Sequence, residues 1–425
     1  MSRLSVVIFG ATGFTGKHAA LEMARLVRKR PDLTWGVAGR SQSRLEDLMR
    51  HIASTTGEDQ SHVRIIIADV TDDASLVEMC RQTQVVANCC GPFRLHGEPV
   101  VKAALVAHTH HVDVTGEPQF IESMQVKYSE EARKAGVYII SACGFDSVPN
   151  DMGVIFLQQN FGGTLNSVES YISSSVPPQL EPEVRAHGTL NTGTWDSLVY
   201  SLYHWGELKP LRQKIFPTRL PPFRPRLMPQ RVLHTKDNKW CLPFLGADNS
   251  IVYRTQRHLF EQDQRRRPAQ FRAYIALDSF LQALALILGA ALIALMCKFT
   301  YTRDILLKYP RFFSGGLATR EGPSEAVIEN TTFKMELYGE GWAEGSDVTG
   351  PINKTAVARV SAKNPGYGFT VTALLLCALT ILDERDKMPQ PGGVLTTGVA
   401  FQDTNLIRKL NEHGASFEII DIKAK

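Results

Sequence analysis

No Cys-x-x-Cys pair occurs anywhere in the 425 residues, and the seven cysteines are odd in number. That argues against a disulfide framework and against a structural zinc site. Charge of one sign is also scarce: 47 Lys/Arg stand against 43 Asp/Glu, a net of +4. No nucleic-acid partner is expected from such a balance. His108, His110 and His111 lie close together but span a helix end and a strand start, without fixed ligand spacing, so no metal is expected. Met1-Ser2-Arg3 runs straight into an apolar stretch, and no signal or transit peptide is expected. The sequons at Asn330 and Asn353 are therefore read as chance matches.

What is present begins at Leu4. Leu4 to Phe9 is a short apolar run, β-branched at Val6, Val7 and Ile8, with the length of a buried parallel strand. It leads into Gly10-Ala11-Thr12-Gly13-Phe14-Thr15-Gly16, after which Ala20, Met23, Ala24 and Val27 recur on one helical face. Strand, glycine-rich turn and helix in that order form a dinucleotide cradle: the glycines allow close backbone approach, and the helix start offers N–H groups to a pyrophosphate. The spacing G-x-x-G-x-x-G is the variant common in NADP(H)-type folds. A second strand, 33–38, ends in Gly39-Arg40, where an acid would take the ribose hydroxyl of NAD and a base suits the 2′-phosphate of NADP. Gly10, Thr12, Gly13, Phe14, Thr15, Gly16 and Arg40 are thus candidate cofactor contacts. Asp69 joins them at the end of a third strand, 63–68. Asn88, Gly91 and Pro92 follow at the end of a fourth, 84–88, which borders the topological switch point. Strands at 111–114 and 137–141 complete six in about 150 residues. The prediction is a Rossmann-type doubly wound parallel sheet over residues 1–150 that binds NADP(H).

Beyond Pro149 the rhythm stops, and a second, mixed α/β domain is expected over 151–390. It includes a strand at 168–175 and a helix at 193–203. Between Lys209 and Arg272 fifteen Lys/Arg face four acids, interleaved with prolines, which reads as a basic Pro-rich connector over 208–272. Residues 276–297 are almost wholly apolar, with basic residues on both flanks. A buried core helix and a membrane-associating helix both satisfy that composition. Symmetric charge favours an element that enters one leaflet and returns. Residues 371–382 are read as core.

The chain resembles the saccharopine dehydrogenase-like oxidoreductases, especially their eukaryotic lipid-droplet-associated branch, and is similar to bacterial trans-acting enoyl reductases. The resemblance rests on the glycine loop, Ala38-Gly39-Arg40, Asn88-Cys89-Cys90-Gly91-Pro92-Phe93, Asp113-Val114-Thr115-Gly116-Glu117, Gly144-Phe145-Asp146-Ser147-Val148-Pro149, Asn364-Pro365-Gly366-Tyr367 and Gly392-Gly393-Val394-Leu395-Thr396. It implies a Rossmann domain, a mixed second domain, and a C-terminal segment, 391–425, packing back on the first. It does not fix a substrate. The expected function is an NADP(H)-dependent oxidoreductase acting on a small, lipid-like molecule with a polarised C=C or C=N bond, on the cytosolic face of a lipid droplet or endoplasmic reticulum membrane. A homodimer is an allowed assembly. A lipid-surface protein that holds NADP(H) without turnover is the alternative. No Tyr-x-x-x-Lys pair occurs, so the proton donor of short-chain dehydrogenases is missing. Asp146 and Ser147 are the catalytic candidates, because they follow the sixth strand at the sheet's active edge. Helix capping is the competing role for both. Substrate is expected to approach over 143–151 and over Gly193-Thr194-Trp195-Asp196-Ser197.

Overall fold

The computed structural model describes residues 2–145, 147–264 and 266–424. β1 (Leu4–Phe9) is buried at all six positions. A strand of that kind needs neighbours on both edges and apolar layers on both faces. β2 (Trp35–Gly39) pairs parallel on one edge and β4 (Thr83–Asn88) on the other, with Val6 opposite Trp35 and Val85. β3 (Arg64–Ile67) lies beyond β2; β5 (His110–Asp113) and β6 (Tyr138–Ile140) lie beyond β4. The spatial order 3-2-1-4-5-6 reverses between β1 and β4, the crevice where such sheets bind ligands. Val6 and Ile8 pack under helices Phe14–Val27, Gln42–Thr56 and Thr370–Asp383. Val7 and Phe9 pack under Asp73–Arg81, Phe93–Val106 and Pro118–Ala135 on the opposite face. The doubly wound sheet read from the sequence is therefore present.

The second sheet is mixed and also has seven strands, in the order Ala415–Ala424, Lys354–Lys363, Thr332–Ala343, Gly163–Ser175, Gln270–Leu277, Lys239–Pro243, His234–Lys236. Phe333, Met335 and Leu337 point into its core while Lys334 and Glu336 stay half-buried, the period-2 signature of a one-sided strand. The chain end divides between the sheets: Gly393–Leu395 pairs parallel with β6, and Ala415–Ala424 pairs antiparallel with Lys354–Lys363.

Two expectations need correction. The basic stretch 208–272 is extended only in its middle; it also holds helices Leu208–Ile215 and Asp248–Gln262 and two sheet strands. Two of its cations pack on aromatic rings, Arg257 at 4.4 Å from Phe216 with a bond to the Thr218 carbonyl and Arg267 at 4.8 Å from Trp342, while Arg219, Arg224, Arg226 and Arg231 stay exposed. The apolar run 276–297 is not one element. Ala276 and Leu277 finish the strand Gln270–Leu277, paired with Cys241 and Trp240, and the helix spans Phe280–Met296. Ala283 alone in that helix is buried, and Leu281 and Leu288 are 72% and 62% exposed, so it is not a core helix.

Candidate active site

The glycine loop closes the carboxyl end of β1. Gly10 has φ +76°, and a Cβ there would sit 3.1 Å from the Cys90 nitrogen at the end of β4. Gly16 is tighter still: a Cβ would come within 2.2 Å of the Gly10 carbonyl oxygen, so no other residue lets the helix meet the loop. The helix Phe14–Val27 begins with Gly13 as N-cap, no side-chain cap and no acid in its first turn. Its first N–H groups therefore face outward for an external anion. This backbone fits a pyrophosphate.

Arg40 follows β2 directly and is exposed. Asp69, after β3, accepts the Thr71 N–H at 2.9 Å and its hydroxyl at 2.8 Å; these bonds hold its carboxyl below the usual range, with a smaller contribution from the Arg40 charge. Asn88 is buried and accepts the Cys90 N–H at 2.9 Å, so it shapes the turn after β4 from beneath. The neighbouring Cys89 thiol is pushed up to about 12, mainly by burial. It is not a thiolate nucleophile.

The turn after β5 carries the second set of groups. Asp113 is buried, accepts N–H bonds from Thr115 and Ala142 and the Ser141 hydroxyl, and is pushed up to about 7 by burial despite them. Glu117 caps the helix Phe93–Val106: its two carboxylate oxygens accept the N–H groups of Phe93 at 2.9 Å and Arg94 at 2.8 Å. Its Oε1 also accepts the hydroxyl of Ser197 at 2.6 Å, a bond from the helix Thr192–Tyr203 of the second domain. Burial raises the Glu117 carboxyl above its ordinary value, against the opposing effect of those bonds.

Between these parts lies a cavity of about 490 Å³. Gly13, Phe14, Thr15, Cys89 and Gly91 border it on the Rossmann side, and Val114, Gly116 and Pro118 extend that wall. The far wall is the helix Thr192–Tyr203, through Thr194, Trp195, Ser197, Leu198 and Ser201, and Phe244, Leu245 and Tyr367 also line the cavity. Among the described residues that line it there is no Asp, Glu, Lys, Arg or His.

The Saccharopine dehydrogenase NADP binding domain family matches residues 6–140. Over 98% of its length the chain is 38% identical to a saccharopine dehydrogenase-like oxidoreductase of Bos taurus, covering 97% of that protein. The chain belongs to the saccharopine dehydrogenase-like oxidoreductases. It is also 36% identical to a lipid droplet localized protein of Caenorhabditis elegans, over 99% of both chains. Among solved structures, apo saccharopine dehydrogenase (L-Glu forming) of Saccharomyces cerevisiae shares the fold over 98% of this chain and 99% of its own, with a TM-score of 0.53 at 16% identity. This saccharopine dehydrogenase-like protein is accordingly an oxidoreductase, and its cofactor is NADP(H); the matched 135 residues include the glycine loop.

Within this oxidoreductase the structure brings Gly13, Phe14, Thr15 and Gly91 to the cavity. Gly10 and Gly16 form the loop behind it, and Arg40 and Asp69 stand at the ends of β2 and β3. Pro92 is the N-cap of Phe93–Val106. Of the second-domain stretch, Gly193, Thr194, Trp195 and Ser197 reach the cavity, and Asp196 does not. The loop after β6 is the correction. Asp146 lies outside the described residues. Ser147 is fully buried, makes no side-chain cap to the helix Val148–Asn160, and does not line the cavity. The reason is packing: a Cβ at Gly144 would meet the Thr370 methyl at 2.7 Å, and Phe145 lies 4.9 Å from the Phe333 ring. Helix Thr370–Asp383 covers this sheet end. The groups that sequence reasoning missed are Glu117 as a buried acid, the Phe244-Leu245-Gly246 turn and Tyr367. Tyr367 had a signal, an aromatic after Asn364-Pro365-Gly366 ahead of an apolar helix.

Proposed function

We propose that this oxidoreductase reduces an uncharged, lipid-related substrate with a polarised C=C or C=N bond. The observation that carries the reading is that none of the described residues lining the cavity is charged. An amino-acid substrate would bring a carboxylate and an ammonium into it, and burying either without a partner costs several kcal/mol. A neutral apolar substrate meets Phe14, Trp195, Leu198 and Leu245 instead. NADPH, when bound, supplies the hydride. The chain's own residues supply position and the proton. Arg40 faces the 2′-phosphate, and the first N–H groups of Phe14–Val27 face the pyrophosphate. Ser197 presents its hydroxyl to the substrate; with Glu117 protonated, as burial favours, the 2.6 Å bond reverses, so that Glu117 donates to Ser197 as Ser197 donates to the substrate.

The same reading places the protein on the cytosolic face of a lipid droplet or endoplasmic reticulum membrane. The 17-residue helix Phe280–Met296 is about 25 Å long, short of a hydrocarbon core of roughly 30 Å. A crossing would also put Gly393–Leu395 and its hydrogen-bonded neighbour β6 on opposite sides. An element lying in one leaflet avoids both conflicts.

NADPH oxidation with a neutral lipid extract tests the reading. Turnover is expected, falling about 10²- to 10⁴-fold in Ser197→Ala while the NADPH affinity is unchanged. Oxidation of charged amino-acid adducts in preference to lipids overturns it. Arg40→Ala should weaken NADPH, and not NADH, by roughly 10- to 100-fold in calorimetry.

A further inference from the structure

The exposed apolar helix and the cavity are not separate features, because the same helix forms a wall of each. On one side of Thr192–Tyr203, Trp195, Leu198 and Ser201 line the cavity. Trp195 and Leu202, which also line the cavity, pack together with Val199 on Ile293 and Met296 of Phe280–Met296, on Cys297 at its C-cap and on Leu306 of the helix Thr300–Lys308 that follows. The Trp195 indole N–H closes this contact, donating to the Leu306 carbonyl at 3.0 Å. The opposite cavity rim has the same support. Phe244 and Leu245 follow the strand Lys239–Pro243, whose Trp240 ring lies 5.0 Å from Phe280. Both rims are thus carried by elements packed directly against the lipid-exposed helix, one helix diameter, about 10 Å, away. The rim itself is apolar and open to the outside: Leu198, Trp205 and Leu245 are 40%, 49% and 56% exposed. A rim built for a water-borne substrate has no use for three large apolar side chains held in water.

We infer that the substrate is a single-chain neutral lipid that enters the cavity directly from the lipid phase, between Leu198 and Trp205 on one rim and Leu245 on the other. This rests on the lipid-surface reading above, and it adds a route and a substrate class. Helix Phe280–Met296 supplies the docking: its exposed leucines give up water contact on entering a leaflet. Phe299, Tyr301 and Phe312 extend that face, with Lys298, Lys308 and Arg311 at its border, as expected for an element seated at headgroup level. Thr192–Tyr203 then lies between the leaflet and the cofactor.

A long-chain fatty alcohol bearing a terminal diazirine, dissolved in dioleoylphosphatidylcholine vesicles, reads this out by photolabelling and peptide mapping of the full chain. Wild type should be labelled in residues 280–296 and in the cavity peptides 190–205 and 244–246. Ser201→Trp, which fills the cavity, should lose the cavity labels and keep those of 280–296. Leu288→Glu with Leu292→Glu should lose cavity labelling from vesicles by about tenfold or more, and keep it when the alcohol is given as monomer in solution. Labels confined to 280–296 in wild type overturn the inference and leave the lipid-surface reading standing. Absence of label at 280–296 as well removes that reading too. Cavity labelling from vesicles that the double Glu variant does not slow overturns the route.

Discussion

Helices Thr370–Asp383 and Phe280–Met296 carry nearly the same kinds of side chain, yet twelve residues of the first are buried and one of the second. By length and composition the run Pro365–Asp383 is the one that would pass for a membrane span, with 19 residues and a mean hydropathy of 1.7, and 78% of it is buried inside the protein. The 17-residue helix Phe280–Met296 falls short of a span by length alone, so length points to the wrong helix for lipid contact. Their neighbours explain the difference. Thr370–Asp383 lies on the parallel sheet between the glycine-loop helix and the second domain, so its leucines fill a closed layer. Phe280–Met296 packs on Thr192–Tyr203, Thr300–Lys308 and the strands Lys239–Pro243 and Gln270–Leu277, and among the described residues no layer covers its exposed leucines. An apolar helix is core or anchor according to what its chain brings to cover it.

The largest test of this contrast is Leu375→Asp. Leu375 is fully buried, and an unpaired carboxylate there should destabilise by about 4 kcal/mol or more, seen as loss of the folded protein in urea titrations. Leu288→Glu with Leu292→Glu places twice as many charges on the other helix and should change folding stability by no more than about 0.5 kcal/mol per site. Its expected effect is elsewhere, a loss of flotation with vesicles of about a hundredfold in affinity. If the double Glu variant melts like Leu375→Asp, Phe280–Met296 is covered in solution and the contrast fails.

The first domain was legible because its signals are local. A six-residue apolar strand, three glycines at fixed spacing and a helical face lie within 27 residues, and the sheet order follows from that motif. The cofactor half of the site came with it. The second sheet was largely unread, although Phe333, Met335 and Leu337 alternate with Lys334 and Glu336 as an exposed-face strand should. Its strands pair across up to 180 residues, as Ala343 with Gly163, and nothing local names the partner. The substrate half suffered for the same reason. Gly193 to Ser197 was found, but Phe244, Leu245 and Tyr367 meet the cavity only after two sheets assemble. Ser147 was chosen for its position at a strand end, which says nothing of the packing that buries it.

The smallest expected effect separates the two helices by acid. Phe280–Met296 contains no titratable side chain, so flotation on phosphatidylcholine should be flat between pH 7 and 5. The buried run is bordered by one: His18 lies 5.9 Å from the Tyr367 ring and 5.1 Å from Phe14, and its Nε2 has no hydrogen-bond partner among the described residues. Burial, aided by Lys17 and Arg25, holds its imidazole down at about 4 against an ordinary 6.5. The sign follows from linkage. Between those values the unfolded chain takes the proton and the folded chain does not, so this contribution is whole above pH 6.5 and is lost as pH falls toward 4. Buried His110 and His111, held down at about 4 and about 3, act in the same direction; Asp113, raised to about 7, acts oppositely over the same window. The absolute slope is therefore a mixture, and the comparison to make is between variants. His18→Gln should flatten the dependence of unfolding free energy on pH between 6 and 5 by up to about 1.4 kcal/mol per unit. A slope unchanged in His18→Gln would mean that the ring reaches solvent, and that the seam between the glycine-loop helix and the buried run is open.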